Sequence, residues 1–197
     1  MTTRIQRRNR RKILDAALDV FSAQGFRGAT LDQIAAVAGL SKPNLLYYFD
    51  SKEAMHRTLL DDLLGVWLEP LRAMNPEGDP RTEIMAYMRR KLQMSREFPR
   101  ESRLFANEVL QGVPRIADEI GGELKQLVDD RAGLIQRWIA AGQLAPVDPY
   151  HLIFSIWALT QHYADFDAQI RMIRGERDPM EGAEAFLETL FERLLRP

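Results

Sequence analysis

Hydrophobic residues recur along the chain at the three- and four-residue spacing of amphipathic helices. Almost no stretch has the alternation of apolar and polar residues, or the enrichment in β-branched ones, that is typical of half-buried strands. The pattern predicts an all-α fold of about nine helices. The first is expected from roughly Arg10 to Gln24, with Gly25 ending it.

Residues 30–53, TLDQIAAVAGLSKPNLLYYFDSKE, predict two short helices joined by a glycine turn. Thr30 and Gln33 have the spacing of a reciprocal capping box at a helix start. Gly39 has the permissive backbone needed to leave that helix sharply, and Ser41 can cap the next one, with Pro43 in its first turn. This order is typical of a helix-turn-helix, whose second helix enters the major groove of DNA.

The second of these helices, residues 42–49, separates an apolar side from polar ones. Leu45 and Phe49 share one face at i, i+4 spacing, which leaves hydrogen-bond donors on the other faces. Early residues of a recognition helix reach base edges, whereas tyrosines, lysines and capping residues more often bind phosphates. The predicted base-reading residues are Lys42, Pro43 and Asn44, and the predicted backbone contacts are Thr30, Ser41, Tyr47, Tyr48 and Lys52. The alternative is an ordinary helical hairpin whose tyrosines pack into a core.

Capping residues, prolines and glycines divide the remaining sequence into further helices. We expect a boundary between a DNA-binding domain, residues 1–52, and a second domain, residues 53–197, for ligand binding and dimerisation. A Gly121–Gly122 pair is expected to bend or weaken one long helix. The predicted helices run from Ser51 to Met74, Pro80 to Glu97, Pro99 to Gln111, Pro114 to Gly142, from Pro149 with Asp148 as its cap, and from Met180 to Leu195.

Charge is distributed unevenly although the whole chain is almost neutral, with 27 basic and 28 acidic residues. Residues 1–56 hold nine basic and five acidic side chains. Six of those basic residues lie in the first twelve positions without one acid, so this arm is able to release counterions from DNA phosphates. The alternative is a solvated, disordered tail. The six are Arg4, Arg7, Arg8, Arg10, Arg11 and Lys12.

Composition excludes several classes of protein and site. The chain has no cysteine, which excludes disulfides and thiolate metal sites, and its three histidines lack zinc-ligand spacing. We therefore expect no metal and no cofactor. No apolar run approaches the roughly 20 residues that a bilayer span needs, and the basic start does not precede a signal-peptide core. A cytoplasmic location is the expectation.

The helix PYHLIFSIWALTQHYADF is apolar on nearly all faces in its first half, which predicts central burial. It places Trp157 and Gln161 on one side, and a buried amide needs hydrogen-bond partners from the protein or from a ligand. Trp157 and the distant Trp67 are suited to enclosing a flat ring. The alternative interpretation is that the tryptophans belong to the core and that Gln161 serves a dimer contact.

The segment AGLSKPNLLYYFDSKEAM resembles the amino-terminal domain of the TetR family of bacterial transcription regulators. The resemblance implies an N-terminal three-helix DNA-binding domain and a homodimer formed through the last two helices. An apolar stripe along residues 183–195 agrees, because it is too wide to leave in water. A two-fold dimer would match two half-sites about 34–36 Å apart on the duplex.

Within that family, the chain is similar to regulators of pyrimidine utilisation. The stretches that carry this similarity are SKPNLLYYFDSKEA, VWLEPL, KLQMSREFPRESRLF and LAPVDPYHLIFSIWALTQHYADF. The resemblance implies that uracil or thymine is the effector and that Trp67, Trp157 and Gln161 line its cavity. Weaker candidates for the other edge are Phe105, Asn107 and Glu108.

The predicted function is therefore that of a repressor released from operator DNA by uracil or thymine. The first alternative is a TetR-type repressor that responds to another planar or hydrophobic molecule. An enzyme is disfavoured because the sequence has no nucleophile–base pair, glycine-rich phosphate loop or metal-ligand cluster with usable spacing. A helical adaptor that binds only protein is the remaining alternative.

Overall fold

The computed structural model describes residues 4–197, and in that range it contains helices and no strand. Ten α-helices have seven or more residues, and the predicted all-α fold is confirmed. Their bounds are α1 Arg4–Gly28, α2 Leu31–Ala38, α3 Lys42–Tyr48, α4 Lys52–Arg72, α5 Pro80–Glu97, α6 Pro99–Leu110, the three-residue α7 Ala117–Glu119, a π-helical segment Ile120–Leu124, α8 Lys125–Ala140, α9 Pro149–Asp165, α10 Asp167–Arg174 and α11 Ala183–Leu195.

Helix starts follow the predicted caps. Thr30 and Gln33 form the reciprocal box at α2, where the Gln33 amide donates to the Thr30 hydroxyl at 3.2 Å. Ser41 caps α3, with Pro43 in its first turn. The Asp148 carboxylate caps α9 by accepting from the His151 amide at 2.9 Å. Each cap satisfies a backbone donor that a helix start leaves without an intrahelical partner.

The helices differ from the prediction in four respects. The first helix begins at Arg4, because the arginine-rich residues before Arg10 are good helix formers and continue the same helix; its regular φ/ψ course breaks at Gly25, as predicted. Helix α10 was not predicted, and the last helix begins at Ala183 rather than Met180. The π-helical segment contains the Gly121–Gly122 pair, where a long, weakened helix was expected.

The chain forms two compact units. Unit 1 comprises the residues up to Val66 and Arg100–Ala117, whereas unit 2 comprises Trp67–Pro99 and Asp118–Pro197. Helix α6 belongs to unit 1 because its first turn is paired with α1: the Arg100 guanidinium donates to Asp15 at 3.0 Å and to Asp19 at 2.5 Å. The N-terminal unit is therefore built from two separate stretches of sequence.

The core of unit 1 joins the first four helices. Ile13 and Phe21 of α1 are fully buried, as are Ile34 of α2 and Leu45 of α3. Phe49 is also buried, as predicted, while Phe26 is only half-buried. The apolar faces inferred from spacing thus pack inward and fix α2 and α3 against α1.

Unit 2 has a larger core in which α5 packs against α9 and α11. One face of α11 is buried there, and it consists of Ala183, Leu187, Phe191 and Leu195. A second apolar row on the same helix stays exposed, made of Phe186, Leu190 and Leu194. The wide stripe predicted for this helix is therefore half core and half surface. Among residues 4–197, no helix is both long and apolar enough to pass through a bilayer.

The αL conformation of Gly39 gives a stability prediction. Gly39 has φ 60° and ψ 40°, and an added Cβ would lie 3.4 Å from the Lys12 Nζ. Gly39→Ala should lower the free energy of unfolding by about 1 kcal/mol, because a left-handed backbone is unfavourable for L-residues with a Cβ. Urea denaturation followed by circular dichroism measures the change.

The control for Gly39→Ala is Gly65→Ala, within α4, where an added Cβ would meet nothing within 4 Å. This substitution should raise the free energy of unfolding by roughly 0.5–1 kcal/mol, because alanine loses less backbone entropy than glycine in a helix. Equal effects of the two substitutions would contradict the assignment of the turn.

Candidate DNA-binding surface and effector cluster

Helices α2 and α3 meet at the predicted glycine turn. The Gly39 amide donates to Ala36 O at 3.0 Å, and the Leu40 amide donates to Ala35 O at 3.0 Å. These two bonds satisfy the amides of the turn and two carbonyl groups at the end of α2. Beyond the turn, α3 buries Leu45 and exposes its first three residues, Lys42, Pro43 and Asn44. The three predicted base-reading residues thus lie together at the exposed start of one helix.

The predicted phosphate contacts occupy the surroundings of α3. The Tyr47 side chain is 71% exposed and Tyr48 is half-buried, so neither tyrosine is sequestered in the core as the helical-hairpin alternative requires. Thr30 and Ser41 are exposed capping residues. The Lys42 ammonium forms an exposed ion pair with Asp32 at 3.0 Å, which a phosphate can replace at little cost, since exposed ion pairs contribute about 0–1 kcal/mol.

Lys52 is held more tightly than a surface contact residue. Its ammonium donates to Phe26 O and Ala29 O, both at 2.7 Å, and lies 4.3 Å from the centre of the Phe26 ring. Two of its three N–H donors are therefore used to fix the loop between α1 and α2. One donor remains for the predicted backbone contact.

The amino-terminal turns of α1 are hydrogen-bonded to α3, a connection that the sequence did not predict. The Asn9 amide donates to the Tyr48 hydroxyl at 2.8 Å, and the Arg10 guanidinium donates to Tyr48 O at 3.3 Å. That guanidinium also lies 4.1 Å from the centre of the Phe49 ring. The basic arm is therefore an ordered helix beside α3. Its other exposed cations share one groove, lined by Arg4, Arg7, Arg8, Arg11 and Lys12 with Asp15.

A buried charge pair supports this surface from within unit 1. The Glu108 carboxylate is 1% exposed and accepts from the Arg115 amide at 2.8 Å and from the Arg115 guanidinium at 2.9 Å. The guanidinium lies 3.5 Å from the centre of the Phe26 ring. Because Lys52 also contacts that ring, Phe26 lies in contact with two cations. The residues at and after the end of α6 are thereby connected to the last turn of α1.

His56 completes this cluster. Its imidazole is 2% exposed and meets the edges of Phe21 and Phe26, with ring centroids 4.7 and 5.0 Å away. Burial lowers the pKa of His56 from 6.5 to about 4, and the charges of Arg115 and Lys52 act in the same direction. Its Nδ1 lies 4.0 Å from Glu108 Oε2. The imidazole is therefore neutral near pH 7.

Of the predicted ligand-binding residues, three lie on α6 in unit 1. Phe105 and Asn107 are half-buried. Glu108 has both carboxylate oxygens bonded to Arg115, which gives it a structural role whatever else it contacts. These three remain predictions as effector ligands.

The other three predicted ligand residues belong to unit 2, where they adjoin a polar cluster. Trp157 is half-buried, and its indole N–H donates to the Tyr87 hydroxyl at 2.6 Å. Tyr87 is buried, which raises the pKa of its phenol. One helical turn further on α5, the Lys91 ammonium lies 4.3 Å from the centre of the buried Trp67 ring. Gln161 is half-buried one turn after Trp157.

Sequence reasoning missed Tyr87 and Lys91 although a signal was present. Ile84, Met88 and Leu92 form the apolar face of α5, and Lys91 interrupts that face at helical spacing. A lysine on a face that must be buried is rare, because its charge needs a partner. For metals, no group of three suitable side chains was found within residues 4–197.

Comparison with models of protein families shows to which family the chain belongs. A model described as bacterial regulatory proteins of the tetR family matches residues 13–58, and one described as the C-terminal region of YcdC-like protein matches residues 60–197. The chain belongs to the TetR family. The regulator RutR of Escherichia coli (strain K12), described as an HTH-type transcriptional regulator, is 51% identical over 166 residues, which cover 84% of this chain and 78% of RutR.

Other TetR-type proteins match less of the sequence or share only the fold. The biofilm operon regulator IcaR of Staphylococcus epidermidis, a negative transcriptional regulator, is 33% identical over 58 residues, covering 29% of this chain and 31% of IcaR. AibR, solved with isovaleryl coenzyme A and operator DNA, superposes with a TM-score of 0.74 at 20% identity, covering 93% of this chain and 98% of AibR. KstR2 of Mycobacterium tuberculosis, described as a ketosteroid transcriptional regulator, superposes with a TM-score of 0.73 at 17% identity, covering 95% of each chain.

These matches confirm the family resemblance and the predicted class of function. A TetR-family protein is a ligand-responsive transcriptional regulator, and these relatives are regulators and not enzymes. The amino-terminal match covers α2, α3 and most of α1, the part of unit 1 that carries the predicted DNA contacts. The second match covers all of unit 2.

The buried His56 gives a pH prediction. The unfolded chain binds a proton at this imidazole below pH 6.5, whereas the folded chain does so only near pH 4. The free energy of unfolding should therefore fall as the pH drops from 6.5 toward 4, by up to roughly 3 kcal/mol from this group. Denaturant titrations across that range measure the slope.

The matched variants are His56→Gln and His151→Gln, since His151 is exposed on α9. His56→Gln should flatten the pH slope and His151→Gln should keep it, whatever their stabilities at neutral pH. Should His56→Gln not fold, nuclear magnetic resonance of the wild-type His56 imidazole supplies the same test. An imidazole that takes up its proton near pH 6.5 in the folded protein would contradict the expected burial effect.

Proposed function

We propose that this protein is a dimeric repressor that binds an operator through α3 and is released from it by uracil or thymine. The observation that carries the DNA part is the exposed start of α3, hydrogen-bonded to a helix whose first nine described residues, 4–12, include six exposed cations. The effector part is supported by the aromatic and polar cluster of unit 2 in a chain 51% identical to RutR.

In this proposal α3 enters the major groove with its amino-terminal end. Lys42, Pro43 and Asn44 are exposed there and meet base edges, while the first turns of α1 follow the adjacent phosphates. A helix-bound arginine row neutralises several phosphates, which gives affinity without sequence preference. The proposed backbone contacts are Thr30, Ser41, Tyr47, Tyr48 and Lys52.

Dimerisation through α9 and α11 is supported by apolar rows that the single chain leaves in solvent. On α11 these are Phe186, Leu190 and Leu194, opposite the face that forms the core. On α9 and at its carboxyl end they include Phe154 and Phe166, which are 46% and 53% exposed. Two such helices from each subunit would form a four-helix interface with two-fold symmetry, and the same symmetry would present α3 twice to an operator.

The effector proposal rests on complementary hydrogen-bonding groups. A pyrimidine-dione ring has adjacent carbonyl acceptors and an imide N–H donor, which a single amide such as Gln161 can engage at two points. The indoles of Trp67 and Trp157 supply flat apolar surfaces.

Release requires that the effector bind two conformations unequally. Helix α4 runs without interruption from Lys52, which bonds the loop before α2, to the residues around Trp67. A tilt of this helix on effector binding would change the separation of the two α3 helices in a dimer without unfolding either. Allosteric couplings are typically about 1–3 kcal/mol, or about 5- to 150-fold in affinity.

The proposed DNA binding predicts different effects for substitutions in the basic first turns of α1 and for substitutions in α3. With an operator selected from random duplexes, Arg7→Ala/Arg8→Ala should reduce the slope of log affinity against log salt by about 0.9 for each phosphate that the variant no longer neutralises. Asn44→Ala should weaken operator binding more than binding to random duplex, because it removes a hydrogen-bonding group that reads a base. Fluorescence anisotropy at several salt concentrations measures both.

The control for the double variant is Arg81→Ala/Arg177→Ala, two exposed arginines of unit 2 outside the proposed dimer helices. It removes the same charge and should leave the salt slope unchanged. An unchanged slope for Arg7→Ala/Arg8→Ala would remove α1 from the DNA interface, and equal decreases in affinity for both duplexes with Asn44→Ala would remove its base-reading role.

The effector part predicts that saturating uracil lowers operator affinity by about 5- to 150-fold at fixed salt. Gln161→Leu should abolish this response while keeping operator affinity, because it removes the amide but retains much of the size of the side chain. The control is Gln143→Leu, at an exposed position. Calorimetry with uracil, thymine and purines identifies the ligand, and unchanged operator affinity with uracil and thymine would exclude both as effectors.

A further inference from the structure

Lys91 is a buried cation that the proposed function does not yet use. It is 4% exposed on α5, and the core of unit 2 around it is apolar. The buried hydroxyls nearby have partners in their own helices: Thr160 donates to Ile156 O at 2.7 Å and Ser95 to Lys91 O at 3.2 Å. One such bond does not satisfy an ammonium group, since it carries a full charge and three donors.

The surroundings of Lys91 are those of a binding site for a flat molecule. The ammonium lies 4.3 Å from the centre of the Trp67 ring, and one turn earlier on α5 the Tyr87 hydroxyl accepts from Trp157. Asp165 acts electrostatically on Lys91 from α9. Gln161 stands between Trp157 and Asp165 at helical spacing, on the side of α9 that carries both.

Packing alone does not account for a lysine at this position. Burial lowers the pKa of Lys91 to about 8, although Asp165 acts in the opposite direction, so the charged form is disfavoured here. Methionine has a similar length without that desolvation, and apolar replacements of buried ions are often neutral or stabilising. A buried cation kept against an indole ring is better explained by a ligand with an oxygen atom to bind.

We propose that the Lys91 ammonium binds an oxygen of the effector, and therefore that the effector is a flat molecule with a carbonyl or anionic oxygen at its edge. This inference rests on the proposed effector function of unit 2 and narrows it. A purely apolar ring offers the ammonium no oxygen to bind, and a cationic ring is repelled by it. The charge on Lys91 thus disfavours both purely apolar and cationic molecules as effectors.

The test measures binding of four flat compounds by calorimetry: uracil, salicylate, indole and the cation proflavine. Wild-type protein should bind an oxygen-bearing ring, and Lys91→Met should weaken that binding at least 10-fold. Lys91→Arg keeps the charge and should recover part of the affinity. The control is Lys125→Met, which removes an exposed lysine of unit 2 and should change nothing.

Two further readouts separate a ligand contact from a structural role. Operator affinity without effector and the thermal unfolding temperature of the free protein should be unchanged or raised in Lys91→Met, because only the bound state is deprived of an interaction. A lowered unfolding temperature with unchanged ligand affinity would assign Lys91 to folding and overturn the proposal.

The outcomes distinguish this inference from the proposed pyrimidine response. Uracil binding that is equal in wild type and Lys91→Met overturns the Lys91 inference and leaves uracil as effector. If the wild type binds salicylate but not uracil, uracil is excluded as effector. Loss of that salicylate binding in Lys91→Met then supports the Lys91 inference. Wild-type binding of indole or proflavine at least as tight as that of the oxygen-bearing rings overturns it, as does the absence of binding by all four.

Discussion

The contact of Arg115 with Phe26 and Glu108 determines how the DNA-binding unit is built. Arg115 lies far along the chain from α1, yet its guanidinium covers the ring of Phe26 at 3.5 Å and donates to a carboxylate that has almost no access to water. A buried carboxylate is stable only with its cation in place. The last turn of α1 and the end of α6 are therefore fixed to each other by one residue.

Each unit contains a buried cation, and the two are paired differently. Arg115 is matched by direct hydrogen bonds to Glu108 and by an aromatic face, so its donors are used within the protein. Lys91 contacts the face of Trp67, and a carboxylate acts on it electrostatically. The first arrangement suits a permanent connection between elements. The second suits a site whose charge is completed by another molecule.

Features set by neighbouring residues could be predicted from the sequence, and features set by distant ones could not. The Thr30–Gln33 box, the αL turn at Gly39 and the Asp148 cap each depend on residues within a few positions. The bond from Asn9 to Tyr48 and the contact of Lys91 with Trp67 depend on packing between separate helices, which periodicity does not specify. The assignment of α6 to unit 1 was missed for the same reason.

The resemblance to a known family indicated an effector site that the helical spacing of residues alone does not indicate. Helical spacing alone favours a core role for Trp157 and a subunit contact for Gln161 over a ligand pocket. The half-buried Trp157 bonded to Tyr87 has features of both, because it packs on the core of unit 2 while remaining partly open. The family match gives the class of regulator. The polar neighbours of the tryptophans support the proposal that the effector is a flat molecule with hydrogen-bonding groups.

The discontinuous composition of unit 1 has a consequence for recombination between relatives. A chimera that takes residues 1–58 from this protein and the remainder from another family member would inherit Phe26 and His56 without the arginine and glutamate that enclose them. Successful exchanges of DNA specificity should therefore transfer residues 100–117 together with the amino-terminal segment. The two stretches therefore act as a matched pair in any such exchange.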